Sequence, residues 1–159
     1  MAFKKPLEDY QAQISDLVAD WATFLGIYPQ WTIDIEYKKQ KDMSDGVSAT
    51  CTWATNYRGA VIKFNCDWLV KTQPNDREIT QTVVHELGHI INAELWDTIQ
   101  ENLNGDFRSL FVSKEEASVD TWTNLIIRAR GEYVEEDNDD GSLSEGYMAT
   151  GAEQQNRLL

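Results

Sequence analysis

The spacing of apolar residues predicts one amphipathic helix followed by three short strands. Over residues 7–25, apolar side chains recur every three or four positions and fit one face of a helix, which Gly26 then ends. Three later segments alternate apolar with polar side chains, as half-buried strands do, and they cover residues 31–37, 47–56 and 60–66. The pattern therefore indicates a helix packed on a small sheet.

The second and third strands are predicted to form a hairpin, because the turn sequence Asn56-Tyr57-Arg58-Gly59 separates them. Odd-numbered residues of one strand must then oppose even-numbered residues of the other, since a shift by one residue would turn an apolar face to solvent. The two predicted registers that satisfy this condition pair residues whose numbers sum to 115 or to 117. One of them makes Arg58-Gly59 a two-residue loop and sets Cys51 opposite Cys66.

Two further helical patterns follow the predicted sheet. The first begins with a capping-box sequence at Asn75 and Glu78, and its apolar positions are Ile79, Val83, Leu87, Ile90 and Ile91. The second begins with a capping-box sequence at Ser113 and Glu116, and its apolar positions are Trp122, Leu125, Ile126 and Ala129. Residues 96–112 either extend the first helix or form a loop over a cleft, with Gly105 as a plausible stop.

The order of one helix, three strands and two helices predicts an α+β fold with a small, mainly antiparallel sheet. We expect residues 1–134 to form one domain, because 159 residues is an ordinary length for a single-domain chain. Residues 135–159 carry many acidic and few apolar side chains, so we expect an acidic, mobile tail there.

The formal net charge of the chain is −13, and its Lys and Arg residues form no basic stripe. Nucleic acids and anionic membranes are therefore poor candidates for partners, because both are bound through clustered basic side chains. No apolar run approaches the length of a transmembrane helix, and the amino terminus lacks the apolar stretch of a signal peptide. We expect a cytoplasmic protein in which Cys51 and Cys66 stay reduced.

The segment His85-Glu86-Leu87-Gly88-His89 contains both histidines of the chain. Residues four apart lie on one face of a helix, so two imidazoles at this spacing can bind one zinc ion at roughly 2.0–2.1 Å. Glu86 lies beside them, where a carboxylate can accept a proton from a zinc-bound water. The motif therefore predicts metal-assisted hydrolysis, most often of a peptide bond.

A catalytic zinc site needs a third protein ligand, and no histidine remains to supply it. Glu116 is the predicted ligand, with Glu115 as the alternative; both also suit a helix amino terminus for purely electrostatic reasons. Asp120 lies one turn after Glu116 on the same helix face. We predict that Asp120 accepts a hydrogen bond from the ring N–H of His85, and it is also a candidate for the third ligand.

The two motifs resemble those of the gluzincin metallopeptidases, in which HExxH is followed by a helix with an E-x-x-x-D pattern, here Glu116 to Asp120. The chain is similar to minimal gluzincins, and to ImmA/IrrE-type proteases of mobile elements and their phage-encoded relatives, over roughly residues 31–130. The resemblance implies a zincin-like fold with an active-site helix and a glutamate helix. It also implies that the third strand offers its exposed edge to an extended peptide.

The resulting prediction is a zinc-dependent metallopeptidase that acts on a peptide or protein. Glu86 is the predicted general base, and His85, His89 and Glu116 are the predicted zinc ligands. The alternative is a catalytically silent, zincin-like protein that only binds its partner. One further donor should stabilise the oxyanion, and the candidates are Tyr57, Arg58, Arg108, Tyr133 and Tyr147.

Overall fold

The computed structural model describes residues 4–102 and 105–131. Its helices are α1 (Leu7–Phe24), α2 (Cys66–Thr72), α3 (Asp76–Asn102) and α4 (Gly105–Arg130), and its strands are β1 (Thr32–Lys38), β2 (Ala49–Ala54) and β3 (Gly59–Asn65). The predicted α+β class is confirmed, whereas the predicted tail, residues 135–159, lies outside the described residues. Among the helices of the described ranges, none combines the length and the apolar character that crossing a membrane requires.

The three strands form one mixed sheet in the order β1–β3–β2. β3 runs parallel to β1 and antiparallel to β2, so the prediction of a mainly antiparallel sheet was wrong for β1. This topology arises because the polar segment 39–48 crosses from one edge of the sheet to the other. β2 therefore pairs with the side of β3 that is opposite β1. Because β3 is the central strand, it has no free edge for a peptide. The edge strand that packs against α3 is β2.

The hairpin of β2 and β3 has a register that differs from both predicted ones. Cys51 lies opposite Ile62, and Ala54 lies opposite Gly59. The loop is longer than two residues because Thr55–Tyr57 form a 3-10 turn and Arg58 takes a left-handed conformation with a φ of 47°. The inward faces were nevertheless predicted correctly, because odd-numbered residues of β2 still oppose even-numbered residues of β3.

The short helix α2 separates β3 from α3 and was not predicted. The side-chain oxygen of Asn65 accepts hydrogen bonds from the backbone N–H groups of Asp67 and Trp68, at 3.0 and 3.2 Å. This cap satisfies two helix donors and starts the helix at Cys66. Cys66 is therefore not a strand residue, and both it and Cys51 are free thiols.

The core lies between the sheet, α1 and one face of α3. The predicted apolar face of α1 is buried, and so is most of the predicted face of α3; the buried residues are Tyr10, Ile14, Val18 and Trp21 on α1, and Ile79, Val83, Leu87 and Ile90 on α3. Ile91 was assigned to the same face but is 46% exposed. It lies about 100° further round the helix than Ile90, which turns it away from the core.

The helix α3 begins at the predicted capping box. The backbone N–H of Glu78 donates to Oδ1 of Asn75 at 2.9 Å, and the backbone N–H of Asn75 donates to Oε2 of Glu78 at 2.8 Å. The helix continues to Asn102, so most of the segment left open by the sequence extends it. α4 then begins at Gly105, which places Ser113 inside a helix and removes the second predicted capping box.

The helices α3 and α4 approach closely at Gly88. A Cβ atom at this position would lie 2.9 Å from Cγ1 of Val119 and 3.4 Å from the ring of Trp122. Val119 is buried, whereas Leu125, which was predicted to face the core, is 62% exposed. The face of α4 that packs on α3 is thus centred on Val119. This packing sets the distance between the two helices where the predicted ligands lie.

Candidate metal centre

Three side chains from α3 and α4 converge in one cleft. His85 and His89 lie one turn apart on α3, and Glu116 lies on α4. The Nε2 atom of His85 is 3.1 Å from Nε2 of His89 and 3.4 Å from Oε2 of Glu116. The Nε2 atom of His89 is 3.8 Å from the same oxygen. This group of side chains could hold a metal ion.

The spacing of the three atoms fits a tetrahedral zinc site. Bonds of about 2.0–2.1 Å at tetrahedral angles separate neighbouring ligand atoms by about 3.3–3.4 Å. The observed separations are 3.1, 3.4 and 3.8 Å, which lie around that value. Two imidazoles and one carboxylate are also a ligand set found in catalytic zinc sites, where the fourth position stays open.

Both histidines are oriented by carboxylates on α4. The Nδ1 atom of His85 lies 2.9 Å from Oδ1 of Asp120, which is the predicted contact. The Nδ1 atom of His89 lies 3.0 Å from Oε1 of Glu115. The side chain of Glu115 is only 8% exposed, whereas that of Glu116 is 51% exposed. Glu115, the alternative ligand, therefore contacts the outer nitrogen of His89, and Glu116 is the glutamate at the converging atoms.

These contacts fix the protonation of the two imidazoles. An ionised carboxylate accepts hydrogen bonds and cannot donate them, so Nδ1 of His85 and of His89 must carry the proton. In a neutral imidazole Nε2 is then unprotonated, and its lone pair faces the other Nε2 and Glu116. Three electron-rich atoms within 3.8 Å of one another repel unless a proton or a metal ion lies between them. The chemistry of the donor set therefore favours a cation.

The carboxyl group of Glu86 is buried in the wall of the same cleft. Only 5% of the residue is exposed. Burial, and after it the negative charge of Glu116, raises the pKa of Glu86 from its ordinary value of 4.5 to about 8. A carboxyl group that titrates close to neutral pH can both accept and return a proton, which is the property a general acid–base group needs.

The cleft around these residues has a volume of about 660 Å³. β2 and the segment before it form one wall, and α3 and α4 form the other. Four acidic side chains line it, and no Lys or Arg of the described residues does; the four are Glu86, Glu115, Glu116 and Asp120. The cleft is therefore large enough for a stretch of peptide and strongly negative in the absence of a metal ion.

Two residues of β2 complete the wall beside the histidines. The ring of Trp53 stacks on the ring of His89, with 6.4 Å between centroids and 15° between planes. Nε1 of Trp53 donates to Oδ1 of Asp97 at 3.2 Å, which fixes the indole. Cys51 also lines the cleft, where burial and then the charge of Glu86 raise the pKa of its thiol. A thiol with a raised pKa stays protonated and is a poor metal ligand.

None of the predicted oxyanion donors that can be placed lines the cleft. Tyr57 is 88% exposed on the hairpin loop, and Arg58 pairs with Glu94 at 3.2 Å. The side chain of Arg108 and the residues Tyr133 and Tyr147 lie outside the described part of the chain. The hydroxyl and amide side chains of the described residues that do line the cleft are Ser48, Thr50, Gln81, Thr82, Thr123 and Asn124.

Sequence reasoning missed the role of Glu115 because Glu115 and Glu116 are chemically alike. Burial separates them, because the side chain of Glu115 is 8% exposed and that of Glu116 is 51% exposed. Glu116 lies about 100° further round α4 than Glu115, toward the cleft.

Comparisons of the chain with protein-family models, with curated proteins and with solved structures gave no match. The resemblance to gluzincins thus rests on the HExxH and E-x-x-x-D motifs and on the arrangement of the side chains that they contribute.

Proposed function

We propose that this chain is a zinc-dependent metallopeptidase that hydrolyses peptide bonds in its cleft. The observation that carries the proposal is the convergence of Nε2 of His85, Nε2 of His89 and Oε2 of Glu116, with separations of 3.1 to 3.8 Å. Asp120 and Glu115 support it, because each holds one histidine with its unprotonated nitrogen toward the shared centre.

A zinc ion bound by this set would supply a Lewis acid that polarises the scissile carbonyl and lowers the pKa of water to near neutrality. Glu86 would accept the proton of the attacking water and return it to the leaving nitrogen. Its buried position keeps bulk water away from the carboxylate. A nearby dication stabilises the ionised form of a carboxyl group, so zinc binding would lower the pKa of Glu86 and leave it ready as a base.

The free edge of β2 would bind the substrate backbone. The backbone N–H of Asn65 donates to the carbonyl of Ser48 at 2.9 Å, so the pair of residues 48 and 65 is hydrogen-bonded. In an antiparallel pair such bonds recur at every second residue. The backbone groups of Ala49, Cys51 and Trp53 therefore point away from β3, toward the edge that a peptide can join.

The proposed setting is the cytoplasm, where free Cys51 and Cys66 persist as thiols, and the proposed partner is a peptide or protein rather than a nucleic acid. The described residues that line the cleft include no basic side chain for phosphate.

Metal analysis and a cleavage assay on the full chain test this function. Protein purified without chelators should carry one zinc ion per chain, and Glu116→Gln should lower zinc affinity. Glu86→Gln should keep the zinc and lose hydrolysis, because an amide preserves the shape but is not a base. Protein without stoichiometric zinc would refute the metal site. A zinc-loaded chain that binds peptides and cleaves none would instead be the silent, zincin-like binding protein.

A further inference from the structure

We propose that the cleft selects peptides with a large apolar residue on the amino-terminal side of the scissile bond and a polar, non-acidic residue on the carboxyl-terminal side. The inference rests on the proposed function and names the substrate class of the same site. It follows from a difference in chemistry between the two ends of the cleft.

The end of the cleft beyond His89 is aromatic. Trp53 stacks on His89 and meets Trp96 edge to face, with 6.5 Å between centroids. Trp96 in turn contacts Phe111, with 5.3 Å between centroids. Trp53 and Trp96 both line the cleft, and Trp96 also borders a second, mainly apolar recess of about 200 Å³ between α3 and α4. Apolar and aromatic side chains gain most from such a wall, because they leave water and stack.

The end of the cleft before His85 is lined by amide and hydroxyl side chains. Gln81, Thr82, Thr123 and Asn124 line it, and Nε2 of Gln81 donates to Oδ1 of Asn124 at 3.3 Å. Amide and hydroxyl groups lose hydrogen bonds to water when an apolar side chain covers them, so a substrate side chain that offers a polar group is preferred here over an apolar one.

The acidic lining excludes a third class of residue. Four carboxyl groups line the cleft, and a zinc ion would balance two of their charges. An acidic substrate side chain near the scissile bond therefore meets a net negative surface, which repels it. The polar end should accept Gln, Asn, Ser or Thr and reject Asp and Glu.

The direction of the peptide follows from the direction of β2. β2 begins beside the polar end, where Ser48 and Ala49 line the cleft, and runs toward Trp53 at the aromatic end. Antiparallel pairing is the more stable arrangement per residue. An antiparallel peptide enters with its amino-terminal half at the aromatic end. Gln81 lies four residues before His85, about 6 Å along α3, which is about two residues of an extended peptide.

Peptide binding to zinc-loaded Glu86→Gln protein tests the selection without requiring turnover. Three fluorescent peptides differ only at one position before the central bond and one position within two residues after it. The first carries Phe before and Gln after the bond, and the second carries Gln before and Phe after it. The third carries Phe before and Asp after the bond. Fluorescence polarisation should give the first peptide a Kd at least roughly tenfold lower than the other two, a typical discrimination for one matched pocket. Mass spectrometry of cleavage products from the wild-type full chain should report the same order of preference.

Two substitutions should each remove one half of the preference. Trp96→Ala should remove the gain in affinity that Phe provides and keep the gain that Gln provides. Gln81→Leu, which conserves bulk, should keep the gain from Phe and remove the gain from Gln. Ile91→Ala is the matched control for Trp96, because Ile91 is 46% exposed on the same helix and lines neither the cleft nor the second recess. Circular dichroism checks folding, and Trp96→Gln replaces Trp96→Ala where the latter does not fold.

Equal binding of the three peptides, or an equal loss in Ile91→Ala and Trp96→Ala, would overturn the inference. Selective binding without any cleavage by the wild-type chain would support the inference and refute the proposed peptidase. Cleavage without selectivity would support the peptidase and overturn the inference. The two proposals therefore fail in distinguishable ways.

Discussion

Replacing Gly88 by Ala tests how the packing of α3 on α4 maintains the candidate metal centre. The added Cβ atom would lie 2.9 Å from Cγ1 of Val119, too close for an unperturbed structure, and 3.4 Å from the ring of Trp122, an ordinary contact. Val119 is 1% exposed, and a valine in a helix has one strongly preferred rotamer. Val119 therefore cannot turn away cheaply, and the two helices must separate.

Two opposing effects set the magnitude for Gly88→Ala. Ala favours a helix interior over Gly by about 1 kcal/mol. Overpacking a buried contact costs about 1–3 kcal/mol. We expect a net loss of up to about 2 kcal/mol in the free energy of unfolding. In a Val119→Ala background the steric cost disappears, so the same Gly88→Ala change should stabilise the protein by about 1 kcal/mol.

Urea denaturation of the four metal-free proteins measures this double-mutant cycle. The coupling between Gly88 and Val119 should be about 1–3 kcal/mol, and Gly88→Ala alone should also weaken zinc binding because Glu116 moves away from the histidines. An equal effect of Gly88→Ala in the wild-type and Val119→Ala backgrounds would refute the steric explanation. A net stabilisation in the wild-type background would show that helix propensity dominates.

The remaining predictions concern the histidine partners, the general base and the tail. Asp120→Ala and Glu115→Ala should each lower zinc affinity about 10–100-fold, measured by competition with a chromogenic chelator; an effect no larger than that of Leu125→Ala, an exposed site on the same helix, would contradict this. In metal-free protein the raised pKa of Glu86 means that the contribution of this carboxyl group to stability is fully present below about pH 4.5 and is lost as the pH rises to about 8. Glu86→Gln removes this loss, so its Tm relative to wild type should rise between these pH values, and a constant difference would contradict the raised pKa. A chain ending at residue 134 should keep its circular dichroism spectrum and bind zinc, because the acidic composition that follows cannot offset the entropy of ordering; failure to fold would move the domain boundary.

Local signals in the sequence predicted local structure well. The capping box of Asn75 and Glu78 depends on residues three apart, and both of its hydrogen bonds are present. The spacing of His85 and His89 placed both rings on one helix face, and the contact of His85 with Asp120 needed only a second helix facing the first. Each of these predictions required a pattern within one helix and one assumption about packing.

Predictions that depended on neighbours in space were less successful. Alternation in β1 shows which side chains face inward, but it carries no information about which strand lies beside it, so its parallel pairing with β3 was missed. A capping-box sequence at Ser113 is equally compatible with a helix interior, because Ser and Glu are tolerated in both places. The choice between Glu115 and Glu116 depended on the start of that helix and on burial by α3.

The position of the donors along the chain has a consequence for the order of folding. All the side chains that converge on the candidate centre lie between residues 85 and 120, on two consecutive helices, and none comes from the sheet. Each helix forms through local contacts, and only residues 103–104 separate α3 from α4, so pairing the two helices closes a very short loop, whereas β1 reaches β3 across segment 39–48 and β2. A metal ion would therefore find its ligands in a helical hairpin before the sheet is complete and would act as a template for the second half of the molecule. Refolding from urea should accordingly be faster with zinc than with a chelator.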